Sequence, residues 1–517
     1  MTDEEDRELF RCDETAKEIW KELLHWYKLY VEPRIVEHKH RTMVNAVRKV
    51  DFMKISFHGA DQNVTGSCHL IECAGKHILV DCGMYQGGRE LAEENAEPFG
   101  FDPTAIDFLV LTHAHLDHCG RIPLLVKRGF TGEIITTAAS VELARLVMLD
   151  SAGLQEEEAR YQSRRARRHH GNHHEGSEPL YTTLDTLNSL EYFGRKVAYG
   201  QPLQIAPGIR ATFLDAGHIL GSASIFFELE EDGRAHRLLF SGDLGYSGRA
   251  ILRDPATPPV VDTVVMETTY GDRLHKQLQP SIEELYEVIN TTIGRGGNVI
   301  IPTFALERAQ EILYYLREGV ESRRIQHFIN VFLDSPMAIS ATQIFERHPE
   351  CFNTETLNLS HGGSDPFGLS GLHFTRETAE SIAINRVDGG AVIMAGSGMC
   401  TGGRVRHHLK HNLWNKHSSV VFVGYAALGT LARQIIDGAE RVRIYGEEIP
   451  VRADIYTIGG FSAHADQAEL LAWHGHTGNP KTTFLVHGEE ESMRVFAKKL
   501  KNTHVEMPAL HQSYVLE

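Results

Sequence analysis

The stretch LTHAHLDHCG, Leu111 to Gly120, places three histidines and an aspartate within six positions. It follows DFLVL, Asp107 to Leu111, a short apolar run that reads as a buried strand. A loop leaving a strand holds its side chains firmly and keeps them open to a ligand. Alternate residues of an extended segment point the same way. His113 and His115 can therefore share one ion, while Asp117 and His118 turn toward a second. Imidazole and carboxylate ligands without thiolate suit zinc, and manganese less specifically. Two such ions about 3.5–4 Å apart clamp the attacking and leaving oxygens of a phosphoryl displacement.

Four side chains from one loop cannot complete two sites. His218 in LDAGHILGS, Asp243 in LFSGDLG and His487 in FLVHGEE each follow an apolar run and sit beside glycine. They are the candidates for the remaining ligands, with Asp243 as the carboxylate that bridges.

The rest of the chain sets the frame. At 517 residues it is too long for one compact core, so at least two domains are expected. With 42% hydrophobic and 23% charged residues it is ordinarily globular. No apolar run reaches the roughly 18–20 residues of a spanning helix, and the acidic start MTDEEDRELF is not a secretory signal. Seven scattered cysteines without a CxxC pair read as free thiols in a reducing cytoplasm. A net charge of −17 argues against nonspecific coating of nucleic acid, though not against a local basic channel.

Residues 1–50 read as a helical extension: Ile19, Leu23, Tyr27 and Tyr30 recur at helical spacing, widened by Trp20, Leu24 and Trp26. It either packs on its own protein or offers a homodimer or partner surface. From 51 to 249, KISFHGA, HLIECAG, KHILVDCG and SIFFELE are short β-rich runs among helical segments at 121–129 and 139–150, an α/β layered domain. Residues 155–178 are polar and expected to be irregular. From 250 to 453 four strand–loop–helix units follow one another, led by NVIIPTF, FINVFLD, AVIMAGSGMCTGG and SVVFVGYAALGT. They predict a parallel sheet with helices on its faces. The segment 454–517 returns to short strands around GGFSAHAD and FLVHGEE.

His113-x-His115-x-Asp117-His118, with His218, Asp243, a late histidine and Asp81 in LVDCG, resembles the metallo-β-lactamase superfamily. The long interval between Asp243 and His487, filled by a second α/β unit, resembles its β-CASP nucleases. Glu267 in METTYGD, His464 in GGFSAHAD and His487 in FLVHGE look like that family's motifs A, B and C. The words AGHILGSAS, SGDLG, METTYGDR and GSGMCTGGR resemble the branch of the pre-mRNA 3′-end endonuclease and its prokaryotic relatives most. The resemblance covers about 51–517. It implies an αββα sandwich with an inserted β-CASP domain, and hydrolysis of RNA phosphodiesters by water activated between two zinc ions, manganese being the alternative.

By the same resemblance, one ion takes His113, His115 and His218, the other Asp117, His118 and His487, and Asp243 spans them. Asp81 orients a ligand histidine from behind, and His464, held by Glu267, reaches the scissile phosphate or the leaving group. Ser397, Gly398 and Arg404, in the glycine-rich loop before a helix, are the expected phosphate contacts. A capped site between two domains suits single-stranded RNA, cut internally with 5′ exonuclease action besides.

Other functions share this outline. An RNA-binding subunit of a processing assembly is disfavoured by the intact ligand set. A small-molecule ester hydrolase is disfavoured by the large insertion, whereas a DNA nuclease is separated only by contacts to the 2′-hydroxyl. RRARRHHGNHHEG, Arg164 to Gly176, reads as a solvated loop or an RNA-contacting arm, and His407, His408 and His411 as a solvated or RNA-facing helix surface.

Overall fold

A computed structural model describes residues 53–87, 93–170, 178–325, 328–424, 426–427 and 429–517, with backbone alone over 165–170. The expected N-terminal helix of 1–50 lies outside the described residues, as does the part 171–176 of the arginine- and histidine-rich loop.

Two seven-stranded sheets stack face to face. The first runs, edge to edge, Ser513–Val515, Lys54–Phe57, His69–Cys73, Lys76–Val80, Phe108–Val110, Glu133–Thr137 and Phe193–Val197. The second runs His504–Glu506, Thr482–Val486, Thr263–Glu267, Arg234–Phe240, Ala223–Glu231, Ile209–Asp215 and Leu203–Ala206. Side-chain alternation along each strand supplies the core between them: Ile55, Phe57, Ile71 and Ile78 from one sheet meet Phe213, Phe227, Phe240 and Phe484 from the other. Each such side chain contributes about 1.5–3 kcal/mol by burial. The outer faces are covered by helices. Leu124, Leu125, Leu143 and Met148 pack on the first sheet, and Leu470, Trp473, Met493 and Phe496 on the second. This is the αββα sandwich.

The third sheet is entirely parallel, in the order Leu372–Phe374, Asn330–Leu333, Ala391–Ala395, Val299–Pro302, Ser419–Phe422 and Asp454–Thr457. Its inner strands are continuous apolar runs because helices cover both faces. Leu409, Leu413 and Ile435 lie on one side, and Ile282, Leu285, Ile289 and Leu313 on the other.

Sheet membership moves both expected divisions of this region. Thr263–Glu267 lies between Arg234–Phe240 and Thr482–Val486 in the second sheet, so the sandwich continues past residue 250. Asp454–Thr457 pairs with Ser419–Phe422, so the inserted domain continues past residue 453. An apolar strand carries no local mark of which sheet it will join.

Residues 155–170 are also not irregular: they continue one helix, Ala138–His170. The segment is polar all round and shows no apolar period, yet glutamate, glutamine, alanine and arginine are strong helix formers. Spacing of four residues adds Arg160–Glu156 at 3.7 Å and Gln162–Glu158 at 2.8 Å. Among the described residues no helix is long and apolar enough to cross a membrane.

Candidate metal centre

Strand ends and the loops that follow seven strands build the site. Phe108–Val110 leads into the short helix Leu116–Cys119. This turn seats against the end of Lys76–Val80 because residue 83 is glycine: a Cβ there would stand 1.5 Å from the Asp117 carbonyl oxygen. Asp81 and His487 leave their strands in the left-handed region, at φ of 61° and 49°. Side chains adopt it at a cost of order 1 kcal/mol or more, a pattern concentrated at functional sites.

The seven expected ligands converge. His115 Nδ1 lies 3.2 Å from His113 Nε2 and 3.1 Å from His218 Nε2. Asp243 Oδ2 lies 3.5 Å from both His113 Nε2 and His218 Nε2. On the other side His118 Nε2 is 3.3 Å from His487 Nε2, and His487 Nε2 is 3.4 Å from Asp117 Oδ2. Asp243 Oδ1 faces this second group, 3.3 Å from His118 Nε2. One carboxylate thus presents a different oxygen to each trio.

These distances fit metal coordination. Ligands at about 2.0–2.1 Å from a tetrahedral zinc lie roughly 3.3 Å from one another. Neutral imidazole lone pairs do not otherwise gather at such spacing. Asp243 Oδ1 is buried and accepts no hydrogen bond of normal geometry, a condition a buried carboxylate avoids without a cation. Burial keeps His113 and His218 well below the usual imidazole range and holds His115 down to about 4, so all three offer lone pairs. Burial also opposes charge on His118, but Asp243 and Asp81 outweigh it and push its pKa up.

Asp81 stands behind His118, 2.7 Å from Nδ1. Its oxygens also accept from the Thr112 backbone N–H and hydroxyl, each at 2.8 Å. Such a partner fixes tautomer and ring orientation. Asp81→Asn is expected to weaken metal binding about 10–100-fold, read by competition with a chelating dye. Unchanged affinity would reduce Asp81 to a turn cap.

His464 is brought to Glu267, with Nδ1 3.3 Å from Oε1 and 3.9 Å from Asp243 Oδ2. Asp243, Glu267 and His464 lie close enough together to hold an ion themselves. However, both Glu267 oxygens already accept backbone N–H groups, from Leu244 at 2.6 Å and Thr269 at 3.3 Å. The carboxylate is placed to serve His464. Burial pulls the His464 pKa down, but Glu267, with Asp243 and Asp117, more than offsets this and carries it to about 9.

The expected phosphate contacts are rearranged. Arg404 gives Nη1 to Asp334 Oδ1 at 2.8 Å and to the Thr375 carbonyl at 3.0 Å, and Nη2 to the Arg376 carbonyl at 2.7 Å. It braces the fold rather than standing free for substrate. Ser397 sits at the turn of the glycine-rich loop, where its hydroxyl accepts from the Gly402 N–H at 3.4 Å. Gly398 backs onto the Phe304 ring. His408, expected on a solvated surface, is fully buried with Nε2 2.7 Å from Asp334 Oδ2.

Asp334 was missed, although it carries the signal that marks Asp81: an acid ending an apolar run, in FINVFLD. Fully buried, it accepts from Ser381 and Thr375 as well as Arg404 and His408. Burial raises its pKa, but these hydrogen bonds outweigh that and carry it to about 2. The stabilisation is therefore present above the ordinary aspartate pKa and lost as pH falls through about 2. Asp334→Ala strands two basic side chains and is expected to cost about 3–5 kcal/mol in urea unfolding. A loss under about 1 kcal/mol, the size of an exposed pair, would refute the brace. Two more residues escaped the sequence. Thr269 Oγ1 lies 3.1 Å from His487 Nδ1. Arg249, buried, joins the His218 carbonyl at 2.7 Å to Glu307 at 3.0 Å.

Sandwich, inserted sheet and paired ligand cluster together define a metal-dependent hydrolase. The chain matches the metallo-beta-lactamase superfamily over residues 62–290, the Beta-Casp domain over 309–435 and the Zn-dependent metallo-hydrolase RNA specificity domain over 448–509. It is 40% identical to Ribonuclease TTHA0252 of Thermus thermophilus, across 87% of this chain and 96% of that protein. It is 31% identical to the transcription termination factor FttA of Methanocaldococcus jannaschii, across 92% and 73%. An RNase J-like protein of the same archaeon is 30% identical, across 87% and 96%. The protein belongs to the β-CASP family of RNA nucleases within the metallo-β-lactamase superfamily. A solved protein of unknown function from Enterococcus faecalis V583 shares the fold at 11% identity, with a TM-score of 0.52 over 90% of this chain and all of that one.

Proposed function

We propose that this β-CASP protein cuts single-stranded RNA internally, with 5′ exonuclease action besides, using two zinc ions. The observation that carries the reading is Asp243, with one oxygen turned to each histidine group. His113, His115 and His218 hold one ion, Asp117, His118 and His487 the other. When bound, the pair lowers the pKa of water toward neutrality and offsets charge on the phosphoryl oxygens. Manganese is the alternative occupant. The relatives' names, ribonuclease and RNase J-like protein, support RNA as the substrate.

The chain's own groups do the rest. Asp81 and Thr269 orient the rings of His118 and His487. His464, kept protonated by Glu267, donates a proton to the leaving oxygen. Ligands of parallel sheets bind beyond the carboxyl ends of the strands. That edge of the inserted sheet leads to the centre, since Asp454–Thr457 runs on into His464. The backbone amide of Gly398 on the same edge is suited to a neighbouring phosphate, whereas that of Ser397 gives to the Gly402 carbonyl at 3.3 Å and shapes the loop.

The test is cleavage of one RNA labelled separately at each end, beside Asp243→Asn, with bound metal measured by elemental analysis. Internal products lost in the variant support the reading. No cleavage by protein carrying two metals per chain would overturn it in favour of DNA or a small ester.

A further inference from the structure

Phe304 is the residue the proposed mechanism leaves unused. It follows strand Val299–Pro302 at the carboxyl edge of the inserted sheet, and 43% of it is exposed. Its place is fixed by backbone: the Thr303 N–H gives to the Ala395 carbonyl at 3.0 Å. The ring lies against the glycine-rich loop. A Cβ on Gly398 would meet Phe304 Cε2 at 2.7 Å and Cδ2 at 2.8 Å, and one on Gly424 would meet Cε2 at 3.8 Å. Gly398 and Gly424 follow the neighbouring strands Ala391–Ala395 and Ser419–Phe422. An aromatic ring is thus laid against two side-chain-free backbones and left half open, and a larger residue at Gly398 would push it aside.

The ring is also tied to the centre. Three residues on, Glu307 accepts from Arg249, whose other nitrogen gives to the His218 carbonyl. Three residues span at most about 11 Å, so Phe304 stands within a few nucleotides' reach of the ligand cluster.

We infer that Phe304 is a stacking platform for one nucleobase of the RNA strand, beside the backbone amide of Gly398; this rests on the ribonuclease reading. A supported, half-exposed ring next to the Gly398 amide combines the two contacts that hold a single strand without reading its sequence. Gly398 then serves the ring as well as the phosphate, since a Cβ there would meet Phe304 Cε2 at 2.7 Å.

The experiment walks one abasic nucleotide along short single-stranded RNAs and measures kcat/KM with the metal-replete protein. Wild type is expected to lose roughly 5- to 150-fold at one position, the worth of one stacked base. Phe304→Ala is expected to lose the same on intact RNA and nothing further at that position, while Phe304→Trp restores the wild-type profile. A ring that only shapes the fold would lower kcat/KM equally for every abasic substrate, that one included, and would overturn the proposal. A flat wild-type walk would do so without any variant. If wild type cleaves no RNA at all, the ribonuclease reading has failed and the platform with it.

Discussion

Asp243→Asn is expected to lower RNA cleavage by about 10³-fold or more, roughly 4 kcal/mol of transition-state stabilisation, and to reduce bound metal below two ions per chain. The substitution keeps shape and packing. It removes the negative charge and replaces one oxygen by an N–H₂ donor. Either amide orientation aims that donor at a histidine trio, because Oδ2 faces His113 and His218 while Oδ1 faces His118 and His487. Among the described residues Asp243 clusters with the first trio and reaches the second through Oδ1, 3.3 Å from His118 Nε2 and 3.6 Å from His487 Nδ1. Elemental analysis with the end-labelled cleavage assay reads both effects. Two tightly held ions and undiminished cleavage would show that Asp243 does not bridge.

His464→Ala is expected to slow cleavage about 10²–10⁴-fold, the range for a positioned acid or base, while leaving metal content near wild type. Its Nδ1 is nearer Glu267 than Asp243, and Glu267 is already committed to backbone donors. The two variants therefore separate by metal content rather than by rate. Loss of metal from His464→Ala would move that histidine into the ligand set and make Asp243, Glu267 and His464 a centre of their own.

Much of the centre was legible from local marks: His218, Asp243 and His487 each follow an apolar run and sit beside glycine, and His113 to His118 crowd the turn that leaves one. The division into two trios came from the resemblance of the ordered motifs, and the parallel inserted sheet from four repeated strand–loop–helix units. What escaped was non-local. The run TVVME in Thr263–Glu267 reads alike for either sheet, and only its neighbours Arg234–Phe240 and Thr482–Val486 decide. The commitment of Arg404 depends on Asp334, far away in sequence but 2.8 Å away in space. The polar half of Ala138–His170 had no apolar stripe to announce it. In each case the deciding partner lies on another segment, or is solvent.

The order in which the ligands appear along the chain has a consequence for biosynthesis. A growing polypeptide folds from its first-made end. His113, His115 and His218 can meet as soon as the early strands pair, but the second trio waits for His487, made after the entire inserted domain. The edge strand Lys54–Phe57 likewise waits for Ser513–Val515 to cover it. A nascent chain therefore carries an incomplete centre until the segment that follows the inserted domain has been made, and the message that encodes a nuclease is not exposed to a finished one before then.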